Sequence, residues 1–217
     1  MNNLELKYNQ LMTEVAEFKK EFESSEIFKK VEDKYKGFQI LISPLHYKPD
    51  FMFVGINPGA GYYKSTGEIS NRLEPESTME YVHENYALAR ETKQLLKYLG
   101  LQNEDLSQAI KTNFYFLATE NERDLNEIII LLDNMDFEKK SVDWNNRLIE
   151  MTQPKIIICE GKSAFTKVLQ HQNLQAEWNG DVAHIKWGNT DVFGYKRIFS
   201  QIKAKEKLSK LILEVLR

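Results

Sequence analysis

Short apolar runs constrain the fold of this 217-residue chain more than any other feature. Residues 51–54 (FMFV) and 155–159 (KIIIC) lack an alternating polar face, which is typical of parallel strands that helices cover on both sides. Residues 110–117 (IKTNFYFL) predict a further strand, although the polar pair Thr112-Asn113 lies inside it. These three segments are therefore expected to be parallel neighbours in one sheet.

Helical patterns separate these strands. Apolar residues recur at helical spacing in residues 3–35 (with a break at Ser24-Ser25), 79–99, 141–151, 162–170 and 203–217. The other predicted elements are a short strand at 38–42, a loop at 64–78 and a hairpin at 184–193. Alternating strands and helices indicate an α/β fold. We expect a three-layer α/β/α domain over residues 37–217 with a mainly parallel central sheet, and an N-terminal helical segment over residues 1–36 packed on it.

The composition is that of an ordinary globular protein, with 42% apolar and 28% charged residues. No apolar run approaches the roughly 18 residues of a membrane helix, and the first residues lack the layout of a signal peptide. We therefore expect a cytoplasmic monomer that does not enter membranes. The single cysteine, Cys159, predicts a buried and inert thiol, and the four histidines share no metal-ligand spacing. Neither a metal nor a cofactor is expected.

Positive charge is concentrated near the C-terminal end, although the net charge of the chain is −3. Residues 196–217 contain seven basic and two acidic side chains, a balance of +5. A surface that contacts phosphates has such a composition, and so has the solvated face of a terminal helix.

The strand at residues 51–54 runs directly into a turn. Gly55-Ile-Asn-Pro-Gly59 combines an Asn-Pro-Gly sequence with a preceding glycine and leaves the backbone accessible. The turn is not a dinucleotide fingerprint, because the order G-x-G-x-x-G is absent, and it is not a P-loop, because no Gly-Lys-Ser/Thr follows. In a parallel α/β sheet, functional groups gather at the carboxyl ends of the strands, and the turn would lie there.

Three motifs, in the same order, resemble those of the uracil-DNA glycosylase superfamily. The turn is most similar to that of the mismatch-specific and single-strand-selective branches, which have an asparagine at the position of Asn57. Residues 111–117 (KTNFYFL) resemble the strand that presents a base-reading asparagine, here Asn113. Residues 144–165, which end in QPKIIICEGKSAF, are similar to the helix, proline, strand and Gly-x-x-Ala unit of that superfamily. The resemblance covers residues 51–165.

The resemblance implies the fold of this superfamily and the removal of uracil or a related damaged base from DNA. Asn57 would hold the attacking water, although an amide cannot act as a strong base. Asn113 would read the base, because its amide suits N3–H and O4 of uracil and mismatches cytosine. The other implied base-binding residues of the turn are Gly55, Ile56, Pro58 and Gly59.

The chain departs from the superfamily at the second active-site motif. Residues 192–201 (VFGYKRIFSQ) replace the usual His-Pro-Ser or Asn-Pro-Ser and contain no histidine. Tyr195, Lys196 or Arg197 could supply a donor or a positive charge there, and Tyr195 is the predicted catalytic residue. The predicted contacts with the DNA backbone are Lys196, Arg197 and Ser200. The aromatic residue that stacks on the base is also missing, and either Tyr62 or Tyr63 is expected to replace it unless both serve only as loop anchors.

The sequence therefore predicts a uracil-DNA glycosylase-like hydrolase whose partner is single- or double-stranded DNA. A non-catalytic nucleic-acid- or nucleotide-binding protein on the same fold is an alternative, and an unrelated small-molecule hydrolase is another. The enzyme requires Asn57 and Asn113 to face one pocket, opposite a donor from residues 193–200. The binding protein requires only the basic surface.

Overall fold

The computed structural model describes residues 3–170, 172 and 174–216, so Arg217, the predicted end of the last helix, lies outside the described residues. The α-helices of this part are α1 (Asn3–Glu23), α2 (Gly61–Thr66), α3 (Glu80–His83), α4 (Ala87–Tyr98), α5 (Glu122–Leu131), α6 (Phe137–Thr152), α7 (Lys162–Gln170) and α8 (Lys205–Leu216). Short 3-10 helices span Phe28–Lys30, Asn103–Gln108 and Asp133–Met135. The strands are β1 (Tyr35–Gln39), β2 (Phe51–Gly55), β3 (Ser70–Arg72), β4 (Ile110–Asn113), β5 (Leu117–Thr119), β6 (Ile156–Cys159), β7 (Trp178–Asn179), β8 (Val182–Trp187), β9 (Thr190–Tyr195), β10 (Arg197–Ile198) and β11 (Gln201–Ile202).

A six-stranded sheet with the order β4-β2-β6-β9-β8-β7 forms the centre of the molecule. The first four strands are parallel, and β8 and β7 continue the sheet in antiparallel pairs. β2 lies between β4 and β6, so the three segments predicted as parallel neighbours are neighbours in this sheet. The predicted α/β class with a mostly parallel sheet is confirmed.

Helices cover both faces of this sheet. Successive residues of β2 face opposite sides, so that Phe53 belongs to one apolar core and Val54 to the other. The core around Val54 is completed by α1, α5, α6 and α7, whereas the core around Phe53 is completed by α3, α4 and α8. This double cover explains why the central strands carry apolar residues at consecutive positions.

The N-terminal helix is built into the larger core. Phe18 of α1 stacks on Phe137 with 5.3 Å between ring centroids and meets the edge of Trp144 at 5.6 Å. The proposed division after residue 36 falls within β1. No helix among the described residues is long and apolar enough to cross a bilayer.

The break predicted at Ser24-Ser25 is confirmed, because α1 ends at Glu23. The Ser25 hydroxyl donates to the carbonyl of Phe22 at 2.7 Å and accepts from the backbone N–H of Phe28 at 3.2 Å. A serine that bonds its neighbouring backbone in this way favours a turn over a continuous helix. The helix predicted over residues 3–35 is therefore too long.

A glycine misleads the sequence prediction at β1. Lys36-Gly37 predicts the end of a helix, and the strand was expected at residues 38–42, but Gly37 lies inside β1 with φ 107°. A Cβ on Gly37 would overlap the backbone of Ser70 in the adjacent strand β3. Glycine is needed because two backbones approach closely there. One of these backbones is β3, which lies inside the loop predicted over residues 64–78.

Two further predicted elements are divided in the structure. The helix predicted over residues 79–99 consists of α3 and α4, since the backbone is extended at Glu84 and Tyr86. The strand predicted over residues 110–117 ends at Asn113. The chain then leaves the central sheet, and β5 joins β1 and β3 in a small separate sheet.

Candidate functional site

A cleft of about 1100 Å³ opens at the carboxyl ends of β2, β4 and β6. We call its buried base the floor, which consists of Gly55, Tyr81, Lys111, Asn113 and Glu160. We call the β10–β11 hairpin, residues 197–202, the rim, since Arg197 and Ser200 also line the cleft. Strand ends of this kind are where parallel α/β proteins present functional groups.

The strand register brings the floor residues together. Asn113 is paired directly with Gly55 of the neighbouring strand, and Lys111 lies two residues earlier on the same face of β4. A Cβ at Gly55 would overlap Oδ1 of Asn113 and would lie 3.2 Å from Nζ of Lys111. Glycine is therefore required at position 55 because two polar side chains occupy the space above it.

Asn113 carries an unusual buried donor. The residue is only 3% exposed, and its Nδ2 has no hydrogen-bond partner among the described residues. Buried polar groups in folded proteins are nearly always paired, and an unpaired one costs about 1–3 kcal/mol. Because this side chain lines the cleft, a ligand that reaches the floor could pair with the unused donor.

A hydrogen-bonded ion pair forms the rest of the floor. Nζ of Lys111 is paired with Oε2 of Glu160, and the hydroxyl of Tyr81 donates to Oε1 of the same carboxylate. Lys111 is 4% exposed and Glu160 is 2% exposed. Burial, followed by the charge of Glu160, raises the pKa of Tyr81 well above its ordinary value, so Tyr81 remains a protonated donor at neutral pH.

The polar network continues from the floor into the segment between α3 and α4. The rings of Tyr81 and Tyr86 meet at their edges with 6.0 Å between centroids, and burial, followed by the charge of Glu80, raises the pKa of Tyr86. Burial raises the pKa of Glu80, although the nearby positive charge of Lys111 opposes the shift. All three of these side chains line the cleft.

Asn57 lies on the same cleft, at the turn after β2. Its Nδ2 donates to the carbonyl of Pro58 at 3.0 Å and to Oγ1 of Thr119 at 2.8 Å, which fixes the orientation of the amide. Thr119 is oriented in turn, because its hydroxyl donates to the carbonyl of Asn121 at 2.8 Å. Among the described residues no donor contacts Oδ1 of Asn57, so this oxygen can accept a hydrogen bond from water or a ligand.

The other predicted site residues divide into two groups. Those that line the cleft are Ile56, Pro58, Gly59, Tyr62, Arg197 and Ser200. Tyr63, Tyr195 and Lys196 do not line it. The ring of Tyr63 lies under Nζ of Lys36 at 4.6 Å, and Nζ of Lys196 donates to the carbonyl of Gly180 at 2.7 Å.

Tyr195 lies inside the apolar core that contains Phe53, and it is 1% exposed. Burial raises its pKa well above the ordinary value, and the charge of Glu160 acts in the same direction. The side chain therefore lies behind the floor rather than in the cleft. We assign no catalytic role to Tyr195.

Negative charge predominates along the cleft wall. The carboxylates that line it are Glu76, Glu80, Glu84, Glu120, Glu122 and Glu160, and the cations are Arg72, Lys111 and Arg197. A polyanion is repelled by such a wall, whereas a single uncharged base is not. A phosphate group of a ligand would therefore meet Arg197 on the rim more favourably than the acidic wall.

The rim projects from the protein surface. Phe199, at the tip of the hairpin, is 93% exposed and has a left-handed backbone with φ 53°. One carboxylate attaches the hairpin to α4, since Glu91 accepts from Ile202 N–H and from Nζ of Lys205, each at 2.8 Å. An exposed aromatic ring beside a cleft can contact bases directly.

Sequence reasoning missed Lys111, Glu160, Tyr81 and Phe199. A signal existed for the first two. The two-residue period of a strand places Lys111 on the same face as Asn113, and Glu160 directly follows an apolar strand. No comparable signal identifies Tyr81, because its contact with Glu160 joins residues 79 positions apart.

No group of three or more histidine, cysteine or acidic side chains that could hold a metal ion occurs among the described residues. No family model matches the chain, and no curated protein matches it significantly in sequence. The functional assignment therefore depends on the chemistry of the cleft.

Proposed function

We propose that this protein hydrolyses the N-glycosidic bond of uracil or a related damaged base in DNA, on a fold of the uracil-DNA glycosylase superfamily. The observation that carries the proposal is the unpaired, buried Nδ2 of Asn113 in the same cleft as the oriented amide of Asn57. The arrangement provides one amide to read a base and another to hold water.

Base recognition follows from the hydrogen-bonding capacity of Asn113. Its Nδ2 requires an acceptor, and O4 of uracil is one, whereas cytosine presents an amino group at the same position. Cytosine would leave two donors facing each other in a buried site. Leaving a buried donor without a partner costs about 1–3 kcal/mol, which favours uracil over cytosine.

Hydrolysis requires a water molecule against C1′ of the sugar. Oδ1 of Asn57 accepts a hydrogen from that water and orients it, while Thr119 holds the amide in place. The C1′–N1 bond breaks with its electron pair leaving on the base, and the water oxygen bonds to C1′ and loses a proton to solvent. An amide is sufficient when the sugar is cation-like in the transition state, since a strong base is then unnecessary.

The charge distribution supports entry of a single flipped nucleotide. The acidic wall disfavours a phosphate backbone inside the cleft, and Arg197 and Ser200 on the rim would be the contacts for flanking phosphates. Phe199 supplies an apolar ring that can stack on a neighbouring base or fill the space that the flipped base leaves.

A strand-cleavage assay tests the proposal. Oligonucleotides with a single uracil, hypoxanthine or xanthine are incubated with excess protein, treated with alkali and resolved on a denaturing gel, and matched cytosine and thymine strands are the controls. We expect a break at the uracil alone or at one of the related bases. Asn113→Asp should lose uracil excision, because a carboxylate has no donor for O4. If the wild-type protein cleaves none of these substrates, the proposed activity is wrong.

A non-catalytic nucleic-acid- or nucleotide-binding protein is the second candidate. The observation that favours it is the position of Tyr195, the expected donor of residues 193–200, inside the core. Binding of uracil-containing DNA without cleavage at enzyme excess would support this candidate.

A further inference from the structure

Excision of a base leaves negative charge on its ring, and the proposed site needs a group that stabilises this charge. Tyr195 and Lys196, which the sequence offers for this purpose, do not line the cleft. The cations that do are Arg72, Lys111 and Arg197. Arg72 is ion-paired with Glu76 at 2.6 Å, and Arg197 is exposed on the rim. Among these three lining cations, Lys111 is the one that is buried.

We propose that Lys111 is a catalytic residue whose ammonium group stabilises the anion of the departing base. This inference rests on the proposed function. Nζ of Lys111 lies close to the base-reading amide of Asn113. Lys111 Nζ and Asn113 Oδ1 are each within 3.2 Å of the position that a Cβ on Gly55 would take. A base held by Asn113 is therefore within reach of the ammonium group.

The ammonium group has a donor available for this contact. Of its three N–H groups, one is directed to Glu160 and one to the carbonyl of Thr112 at 3.4 Å. The third has no hydrogen-bond acceptor among the described residues, although Nζ also lies over the ring of Tyr81 at 5.5 Å from its centroid. Asn113 Nδ2 likewise has no partner there. The floor therefore offers a ligand one donor from each of these two side chains. A ring with carbonyl oxygens, on which negative charge develops, provides the matching acceptors.

Glu160 and Tyr81 make a buried cation possible at this position. The ion pair balances the charge of Lys111 before the base arrives, and the Tyr81 hydroxyl donates to the second oxygen of Glu160. When the C1′–N1 bond breaks and its electron pair moves onto the base, the new anion meets an ammonium group in a site with little screening by water. No proton has to be transferred from Lys111, so the charge is stabilised without a chemical change at the lysine.

The leaving-group dependence of excision tests this role. Single-turnover rates are measured on oligonucleotides with uracil or 5-fluorouracil, whose fluorine itself stabilises the anion. In the double variant Lys111→Met/Glu160→Gln, which removes both charges together, we expect uracil excision to fall about 100-fold, as for the loss of one oxyanion donor. Excision of 5-fluorouracil should fall much less. Lys111→Arg, which keeps the positive charge, should return the ratio of the two rates toward that of the wild type.

Equal losses on both bases would overturn the role of Lys111, since a merely structural change does not distinguish the leaving groups. Thermal melting shows whether each variant is folded. Glu160→Gln keeps the cation of Lys111, so its rate ratio should not shift toward that of the double variant. If the wild-type protein excises neither base, the proposed function fails. If it excises both and the double variant keeps the wild-type ratio, only the role of Lys111 fails.

Discussion

The floor and the rim of the cleft are built in opposite ways. Most of the floor comes from the ends of adjacent parallel strands, where the register pairs Gly55 with Asn113. The floor is buried, and Glu160 joins Lys111 and Tyr81 through hydrogen bonds. The rim is a hairpin of two-residue strands that exposes Phe199 and is attached to α4 through Glu91. A site on rigid strands holds atoms more accurately than a site on a short surface hairpin. We therefore expect the floor to determine the chemistry and the rim to determine the contact with the polymer.

The two regions should also differ in their tolerance of substitution. A buried ion pair is disrupted at high cost when one partner is removed, whereas exposed side chains usually change stability by about 0.5 kcal/mol or less. The following predictions test this contrast, from the largest expected effect to the smallest.

Removal of the floor cation alone should give the largest loss of stability. Lys111→Met leaves the carboxylate of Glu160 buried without its partner, and breaking such a pair costs about 3–5 kcal/mol. Urea unfolding measures the change. Arg197→Ala on the rim is the comparison and should be near wild type. A loss for Lys111→Met as small as that for Arg197→Ala would contradict the contrast between floor and rim.

Removal of the proposed water ligand should impair catalysis more than binding. Asn57→Ala is expected to lower the single-turnover excision rate about 100-fold, which corresponds to roughly 2.7 kcal/mol in the transition state. DNA affinity, measured by fluorescence anisotropy, should change little, because the amide acts on water rather than on the strand.

Two variants of Thr119, one without and one with a hydroxyl group, test the support that this side chain gives to Asn57. Thr119→Val removes the acceptor of the Asn57 amide and should slow excision less than Asn57→Ala does, while Thr119→Ser keeps the hydroxyl and should recover most of the rate. Equal rates for the valine and serine variants would show that this hydrogen bond does not position Asn57.

Two glycines of one turn should respond differently to the same added methyl group. Gly55→Ala places a Cβ against Asn113 and Lys111, so we expect a loss of about 1–3 kcal/mol from overpacking, together with loss of excision. Gly59→Ala meets no atom within 4 Å and should unfold at the wild-type denaturant concentration. Similar unfolding midpoints for the two variants would contradict the close packing of the floor.

The sequence predicts most of the sheet and the position of the cleft, because both follow from local patterns. The apolar runs that become β2 and β6 and the glycine turn after β2 are visible without coordinates, and so is the placement of Asn57 and Asn113 at neighbouring strand ends. Where prediction fails, contacts between distant residues decide. Gly37 lies in β1 because it must pass close to Ser70, which a local helix signal does not reveal.

Charge pairing in the site is similarly hidden from sequence reasoning. Lys111 inside an apolar strand has no obvious partner until the register places Glu160 and Tyr81 beside it. Tyr195 shows the opposite error, since a polar hydroxyl near the expected second motif suggests a donor although the side chain is buried behind the sheet. The identity of a motif residue predicts the chemistry of its side chain, whereas the direction in which the side chain points depends on the strand that carries it.

Glu80, which lies beside the floor, and Glu91, which attaches the rim to α4, should respond to pH with opposite signs. Burial raises the pKa of Glu80 above 4.5, so the ionised carboxylate destabilises the fold. This destabilisation is removed as pH falls through the folded pKa toward 4.5. Glu91 is half-buried, and hydrogen bonds from Lys205 and from Ile202 N–H outweigh the effect of burial and lower its pKa. Its stabilising contribution is present above pH 4.5 and is lost as pH falls below that value.

Unfolding free energies between pH 7 and pH 3 separate these contributions. The gain in unfolding free energy of Glu80→Gln over the wild type should be smallest at acidic pH, because the wild type then no longer carries the unfavourable charge. The loss of unfolding free energy of Glu91→Gln relative to the wild type should be largest at neutral pH and should become small at pH 3. Parallel pH curves for the wild type and either variant would show that the carboxyl group in question does not titrate as described.

The smallest effect is expected from a single cation on the rim, and it concerns salt rather than rate. If Arg197 contacts one phosphate, Arg197→Ala should reduce the slope of log affinity against log salt by about 0.9 on duplex DNA, because one fewer counterion contact is made. Lys29→Ala is the control, since Lys29 is an exposed cation that does not line the cleft and pairs with Glu26. It removes the same charge and should leave the slope unchanged. Equal changes in the two variants would indicate a response to net charge alone, whereas a change confined to Arg197→Ala would locate the DNA backbone at the rim while the floor remains free for the base.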